Sequence, residues 1–311
     1  MKKKILVCGS MAYDSIMIFK DQFKNHIMPD QIHQLNVAFY VPEMKKNFGG
    51  TAGNIGYNLN LLGANFNIMA TIGNDSDDYF AWLNQKGISK NYIKKLPNCY
   101  TAQAYITTDL DDNQITAFHP GAMSESHNFS IKDIHEPLDL VLISPDGKKG
   151  MVDHANECFE LKIPFIFDPG QGLPMFNKEE LKTFISKASY ITVNDYESQM
   201  LANNSGLSIE EIASKVNALI ITKGSEGSII FEKGSKVAVP AFKVKDTIDP
   251  TGCGDAFRAG LSYGISKEWD LQKSAVLGSA LASFKIKHNG GQNHAPSLAE
   301  IETVTGFKLN L

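Results

Sequence analysis

From residue 138 to residue 222 short apolar runs alternate with longer amphipathic stretches. The runs are Leu138–Ile143, Pro164–Phe167, Tyr190–Val193 and Ala218–Thr222. The stretches Asp153–Leu161, Lys178–Lys187, Asp195–Ala202 and Ile209–Val216 carry helical spacing. Runs with no polar alternation belong to strands covered on both faces, and strands separated by helices pair in parallel. The pattern therefore predicts an α/β fold: a doubly wound, mostly parallel sheet flanked by helices. Lys4–Val7 before Gly9-Ser10, and Phe66–Ile72, read as further buried strands, and Asp77–Lys86 as a helix stopped by Gly87. Gly227–Glu232 and Lys236–Val239 read as an antiparallel pair. Cys253–Ser266 and Asp270–Lys287 read as two long helices whose small residues suit close packing.

Two stretches break the rhythm. Tyr13–Phe19 and Ile32–Val41 alternate loosely, and Thr101–Thr108 and Gln114–Phe118 flank a turn at Asp109–Asn113. They predict a small half-exposed β-sheet built from excursions near 12–44 and 98–120, over a single domain spanning 1–311. No repeat, low-complexity tract or Pro-rich linker divides the chain.

Composition narrows the function. Hydrophobic residues make up 43% and charged residues 21% of 311, which excludes disordered and fibrous classes. A net charge of −4 gives no footprint for nucleic acid. No apolar stretch approaches the roughly 18 residues that a membrane helix needs, and the run Ile5–Cys8 is too short for a signal peptide. Cys8, Cys99, Cys158 and Cys253 form no CxxC pair, so a reducing cytoplasm is expected. Arg258 is the only arginine. Phosphate recognition is therefore expected to rest on backbone N–H groups, lysine or metal.

Four short motifs carry chemistry. In Asp249-Pro250-Thr251-Gly252-Cys253-Gly254-Asp255 two glycines open a long helix, where unpaired N–H groups and the helix dipole make an anion site. Asp255 then serves either as a helix cap or as a base aimed at the bound anion. In Phe48-Gly49-Gly50-Thr51-Ala52-Gly53-Asn54 a tight loop precedes a helix over Ile55–Leu62. It matches neither the dinucleotide nor the P-loop fingerprint, so it is either a packing turn or a backbone approach to a ligand. Asn194 and Glu197 are spaced as a capping box or as a magnesium-water site. Thr222-Lys223-Gly224-Ser225-Glu226-Gly227 is a Gly-rich turn between strands, and Asp14 lies just beyond the first strand. His119 and His294 are expected to be polar loop residues.

Taken in order and spacing, these motifs resemble the ribokinase-like (PfkB) family of carbohydrate and nucleoside kinases over essentially the whole chain. The resemblance implies that Asp255 is the general base and that the N–H groups of Gly252, Cys253 and Gly254 form the anion hole. It implies that Asp14, Gly49, Gly50 and Asn54 bind substrate hydroxyls. Asn194, Thr222, Gly224 and Gly227 would line the ATP site, with Glu197 holding Mg²⁺ through water. The family often carries a monovalent cation, K⁺, near Asp249 and Asn289-Gly290-Gly291; His294 stands where relatives often have a small polar residue. Cys253, Arg258, the segment Ala117–Met123 and the segment Pro29–Asn36 look most similar to the adenosine and nucleoside kinase branch. The expected reaction is transfer of the γ-phosphoryl of ATP to a nucleoside 5′-hydroxyl, with Phe39, Tyr40 or Phe118 against the base. A kinase for free ribose or fructose is the alternative. A non-catalytic nucleoside sensor is a third reading, against which Asp255 and its intact loop argue. A homodimer through the small sheet is also implied.

Overall fold

The computed structural model describes residues 4–28, 36–111 and 113–309. In chain order its elements begin with strands β1 (Ile5–Cys8), β2 (Ala12–Ile18) and β3 (Glu43–Gly49), then helix α1 (Thr51–Leu61) and strand β4 (Phe66–Ile72). Helix α2 (Asp77–Lys86) leads to β5 (Ile93–Lys95), β6 (Ala102–Thr108), β7 (Gln114–His119) and β8 (Leu140–Ile143). Alternation follows through α3 (Lys148–Glu160), β9 (Phe165–Phe167), α4 (Lys178–Lys187) and β10 (Tyr190–Asn194). The chain continues through α5 (Asp195–Ser205), α6 (Ile209–Lys215) and β11 (Ala218–Thr222) to the hairpin β12 (Ser228–Glu232) and β13 (Ser235–Val239). It closes with α7 (Cys253–Ser266), α8 (Leu271–Lys285) and α9 (Leu298–Thr305).

The large sheet has nine strands in the order β13-β12-β11-β10-β9-β8-β1-β4-β5. Pairing is parallel from β11 to β5 and antiparallel at the β12–β13 end. Strand β1 shows why its sequence carries no polar residue. Ile5 and Val7 enter one core layer with Ile55, Leu59 and Ala256, while Leu6 and Cys8 enter the other with Val141, Met151 and Phe167. Side chains alternate across a strand, so a centre strand covered on both faces must be apolar at every position. The strand order reverses at β1, between β4 and β8, and in open α/β sheets the crevice beyond the carboxyl ends at such a point takes the ligand.

The four remaining strands form a separate sheet in the order β3-β2-β6-β7. Its second strand differs from the expected Ile32–Val41. Residues 36–41 carry no strand, residues 29–35 lie outside the described part, and the pairing falls on Glu43–Gly49. That segment is polar because it is an edge strand with both faces half open, and charged residues suit an edge. Backbone pairing to β2, which side-chain alternation does not report, sets it. The loop expected at Gly49–Asn54 is also shorter than its sequence suggests: α1 starts at Thr51 with Gly50, at φ 82°, as its N-cap. A side chain at Gly50 would meet Ser10 O at 2.5 Å and Ala12 N at 2.6 Å, so only glycine fits.

Helices α7 and α8 cross at glycines. A Cβ on Gly260 would lie 2.5 Å from the backbone nitrogen of Gly278 and 2.6 Å from its Cα. Gly260→Ala gains up to about 1 kcal/mol of helix propensity, yet its methyl meets backbone that cannot swing aside. Overpacking of this kind costs about 1–3 kcal/mol, so the expected outcome is a lowered urea midpoint with an unchanged m value. A raised midpoint would show that the helices part without cost.

Candidate active site

The carboxyl ends of the parallel strands converge on one rim. Beyond β1 stands Ser10, beyond β8 Ser144, beyond β9 Asp168, and Asn194 and Thr222 end β10 and β11 as register partners. Across β1 and β8 the rim is cross-linked: Ser10 N donates to Pro145 O at 3.0 Å, and Thr51 Oγ1 donates to the same carbonyl at 3.0 Å.

The start of α7 faces this rim. Gly252 caps it in the left-handed region at φ 80°, with Gly291 Cα 3.0 Å from where a side chain would begin. The N–H of Cys253 donates to Pro250 O at 3.1 Å, so it is already engaged in a turn. Asp255 is the acidic residue of the first turn. Its Oδ2 accepts from Asn54 Nδ2 at 2.8 Å. Asn54 Oδ1 in turn accepts from Gln292 Nε2 at 3.2 Å; Gln292 also donates to Tyr79 Oη at 2.8 Å and accepts from Trp82 Nε1 at 2.9 Å. Asn54 was expected to meet substrate hydroxyls; its observed contacts are to Asp255 and Gln292. Burial raises the pKa of Asp255, against the Asn54 hydrogen bond and the field of Arg258. The Cys253 thiol is pushed up to about 11, chiefly by burial, and is inert at neutral pH.

Asp14 lies just past β1, in β2 of the small sheet, within the expected Tyr13–Phe19 strand. A Cβ on Gly49 would stand 2.4 Å from its Oδ2, so the glycine makes room for the carboxylate. Burial, and then the charges of Asp255 and Asp249, raise its pKa to about 6. Register puts Asn47, Asp14, Ala104 and Phe118 in one row across the sheet. Phe118 therefore shares a sheet face with Asp14 two strands away, about 10 Å at the usual strand spacing. It is half exposed, and Tyr40 is 83% exposed. Phe39 is not open in this way: it is half-buried, its ring 4.9 Å from both Phe19 and Phe23 in a small aromatic cluster.

The motifs at the ends of β10 and β11 lie side by side. Asn194 and Glu197 form a complete capping box: Asn194 Oδ1 accepts from Glu197 N at 2.7 Å, and Glu197 Oε2 accepts from Asn194 N at 2.8 Å. The same Oε2 lies 3.7 Å from Arg258 Nη2, and Arg258 Nε contacts Asp168 Oδ2. The only arginine thus sits buried between two carboxylates behind the Gly252–Gly254 turn, with Nη1 2.7 Å from where a Gly254 side chain would begin. Asp168 is buried and its Oδ1 has no protein partner. Its pKa rises to about 7 because burial outweighs Arg258. A hard divalent cation bound mainly by phosphates takes one or two carboxylates, and an orphaned Asp168 oxygen beside Glu197 fits that need. Gly224 and Gly227 shape the turn after Thr222, and Gly227 at φ 96° leaves no room for a side chain against Val239 O.

Asp249 bridges two turns. Its Oδ1 accepts from Thr251 N at 2.8 Å and its Oδ2 from Gly290 N at 2.7 Å. Lys285 Nζ donates to the main-chain oxygens of Asp249 at 2.7 Å and His288 at 2.9 Å. His294 lies in a loop as expected, but that loop is fully buried at this residue; its Nε2 pairs with Asn58 Oδ1 at 2.8 Å, and burial drives its pKa down to about 3. It is a neutral core residue, chosen by a buried amide that sequence spacing does not reveal. His119 ends β7 and is exposed. Asp168, Gln292 and Lys285 escaped the sequence reading. Asp168-Pro169-Gly170 after an apolar run was the one local signal; Gln292 and Lys285 gain their positions only by long-range packing.

A helix opened by glycines with an aspartate in its first turn, at the reversal point of a parallel sheet and facing a small separate sheet, defines a sugar-kinase class of site. The chain belongs to the pfkB family of carbohydrate kinases, whose pattern matches residues 3–298, and it is a phosphotransferase with an alcohol acceptor. It is similar to the nucleoside kinase of Methanocaldococcus jannaschii, 32% identical over 267 residues that make up 84% of this chain and 86% of that protein. It is also similar to the solved structure of Burkholderia thailandensis nucleoside kinase in complex with inosine. That comparison gives 47% identity and a TM-score of 0.88, covering 98% of this chain and 99% of that one. The same kinase in complex with ADP-inosine gives 47% identity and a TM-score of 0.85, covering 98% of this chain and 97% of that one.

The elevated pKa of Asp14 has a stability consequence. Between about pH 4 and 6 the folded state binds more protons than the unfolded state, so stability falls as pH rises through that window. At neutral pH the ionised carboxylate costs on the order of 3 kcal/mol. Asp14→Asn is expected to raise the melting temperature at pH 7.5, with the gain shrinking towards pH 4. A pH-independent difference would remove the electrostatic explanation.

Proposed function

We propose that the protein transfers the γ-phosphoryl group of ATP to the 5′-hydroxyl of a nucleoside. The observation that carries the reading is Asp255 itself: a desolvated carboxylate, held by Asn54, at the N-terminal turn of a glycine-opened helix. Only a group with a raised pKa keeps useful basicity toward an alcohol, and only a helix start offers fixed donors to the moving phosphoryl group. Asp255 takes the hydroxyl proton as the oxygen attacks the γ-phosphorus in line, the bond to the β-bridging oxygen breaks, and ADP leaves. The transition state is loose, so positioning and charge do most of the work. Because Cys253 N–H already has an acceptor, Gly252 and Gly254 are the main anion donors of the turn. Arg258 adds fixed positive charge just behind them.

Mg²⁺ bound with ATP would neutralise the phosphates, and Asp168 and Glu197 are the residues that would hold it, directly or through water. Asn194, Thr222, Gly224 and Gly227 bound the nucleotide side. The small sheet acts as a lid that excludes water and so suppresses ATP hydrolysis. Asp14 accepts from the sugar diol; Gly49 and Gly50 let that carboxylate and the sugar come close. Asn54 acts by orienting Asp255. A nucleoside is favoured over a free sugar by the row that runs from Asp14 to Phe118: a base reaching beyond the sugar meets an open aromatic face, worth about 1–3 kcal/mol. The nucleoside kinases named above support the same choice. No described helix is long and apolar enough to cross a membrane. Free thiols at Cys8, Cys99, Cys158 and Cys253 support a cytoplasmic setting. The exposed edge strand β7 is the surface through which two copies would pair.

Two measurements test the reading. Asp255→Asn should fold and bind ATP normally while kcat falls by roughly 10²–10⁴. In the wild type, kcat should decline on acidification with an apparent pKa above the ordinary carboxylate range, since the raised pKa of Asp255 must be crossed before the base is lost. Near-normal turnover in the variant would return Asp255 to a capping role. Separately, kcat/KM for adenosine, inosine, guanosine and cytidine should exceed that for ribose and fructose, and Phe118→Ala should narrow the gap by about 5- to 150-fold. Preference for a free sugar over all four nucleosides would replace this reading by the sugar-kinase one.

A further inference from the structure

Lys285 ends α8 with no solvent exposure, and the transfer described above gives it nothing to do. Its ammonium donates to the carbonyls of Asp249 at 2.7 Å and His288 at 2.9 Å, with Asp249 Oδ2 3.7 Å away. These oxygens come from two turns. One is the turn that leads into Gly252. The other runs from Ile286 to Gly291, where Gly291 touches Gly252 and Asn54. The turns are also joined by Ile248 N to Ile286 O at 2.8 Å and by the Asp249 carboxylate to Gly290 N.

Two carbonyls and a carboxylate oxygen converging on one point form the donor set of a monovalent cation. Here the point is already taken. A metal ion brought to the same oxygens would lie at contact distance from the ammonium, and two unit charges that close in a buried site repel strongly. The residues near Asp249 therefore do not fit a K⁺ ion.

We infer that Lys285 is a tethered cation that replaces an exchangeable metal ion and keeps the anion turn in its working shape, so that the protein needs no monovalent cation. The ammonium also suits its place at a helix C-terminus. It balances Asp249 and lends positive field to Asp255, whose carboxylate feels it. Lys285 is a positioning residue: it shapes the turn without touching the transferred group.

The test uses K⁺, ammonium and choline chlorides at equal ionic strength, and reads melting temperature and turnover separately. The melting-temperature arm does not rest on the proposed kinase reaction. The wild type should melt at the same temperature in all three salts. Lys285→Ala, which opens the cage, should be stabilised by about 2 °C or more by K⁺ or ammonium relative to choline. In the turnover arm, wild-type kcat should be the same in all three salts. Lys285→Ala should lose roughly 10- to 100-fold in kcat with little change in KM for the acceptor, and recover in K⁺ or ammonium but not in choline. Lys285→Met, which fills the space without charge, should show the loss and no recovery. Stabilisation or activation of the wild type by K⁺, or full kcat for Lys285→Ala in choline, overturns the inference. If Lys285→Ala does not fold, the wild-type series and Lys285→Met decide it. A wild type that phosphorylates no acceptor would defeat the kinase reading alone and leave the thermal comparison standing.

Discussion

The hydrogen bond from Asn54 to Asp255 joins the starts of two helices that reach the rim from different parts of the chain. Helix α1 begins at Gly50 and α7 at Gly252; both N-caps take positive φ, and each lets backbone approach where a side chain could not. The bond holds Asp255 in a desolvated setting that would otherwise favour protonation. Gln292, Tyr79 and Trp82 extend the same network outward, so the orientation of one carboxylate depends on packing far from the anion turn. A half-satisfied polar network of this depth would cost more than an apolar one, and its completeness gives the proposed base a single orientation.

Around that bond the site concentrates negative charge. Asp14 feels the charges of Asp255 and Asp249, Asp168 feels that of Asp255, and burial raises the pKa of Asp14, Asp168 and Asp255. Two cations from the chain offset it in fixed positions. Arg258 lies behind the Gly252–Gly254 turn between Asp168 and Glu197, and Lys285 lies between the turn at Asp249 and the turn at His288. The remaining negative charge works against ionised carboxylates in the folded state, a cost of the kind that functional sites carry.

The small sheet contributes through register. Its pairing sets Asp14 beside Asn47 and Ala104 and in line with Phe118, so that the carboxylate and the open aromatic ring share a face. A slip of one residue would turn both to the other side.

The alternation of apolar runs and amphipathic segments determined the layered parallel sheet, because a strand buried on both faces admits no polar residue. Glycine placement determined the helix starts at Gly50 and Gly252, and the order of motifs determined the family. What the sequence left open was whatever depends on distant partners. Glu43–Gly49 is a strand because β2 offers it a backbone ladder, not because its side chains alternate. His294 is buried with its Nε2 paired to Asn58. Phe39 packs with Phe19 and Phe23, whereas Phe118, of similar local texture, stands open. Lys285 reads locally as an ordinary cation at a helix end; only the meeting of two turns, brought together from Asp249 and His288, encloses it in oxygen. Tertiary structure decided these points because each is an electrostatic or hydrogen-bonding requirement met across the fold, and sequence spacing reports only contacts made nearby.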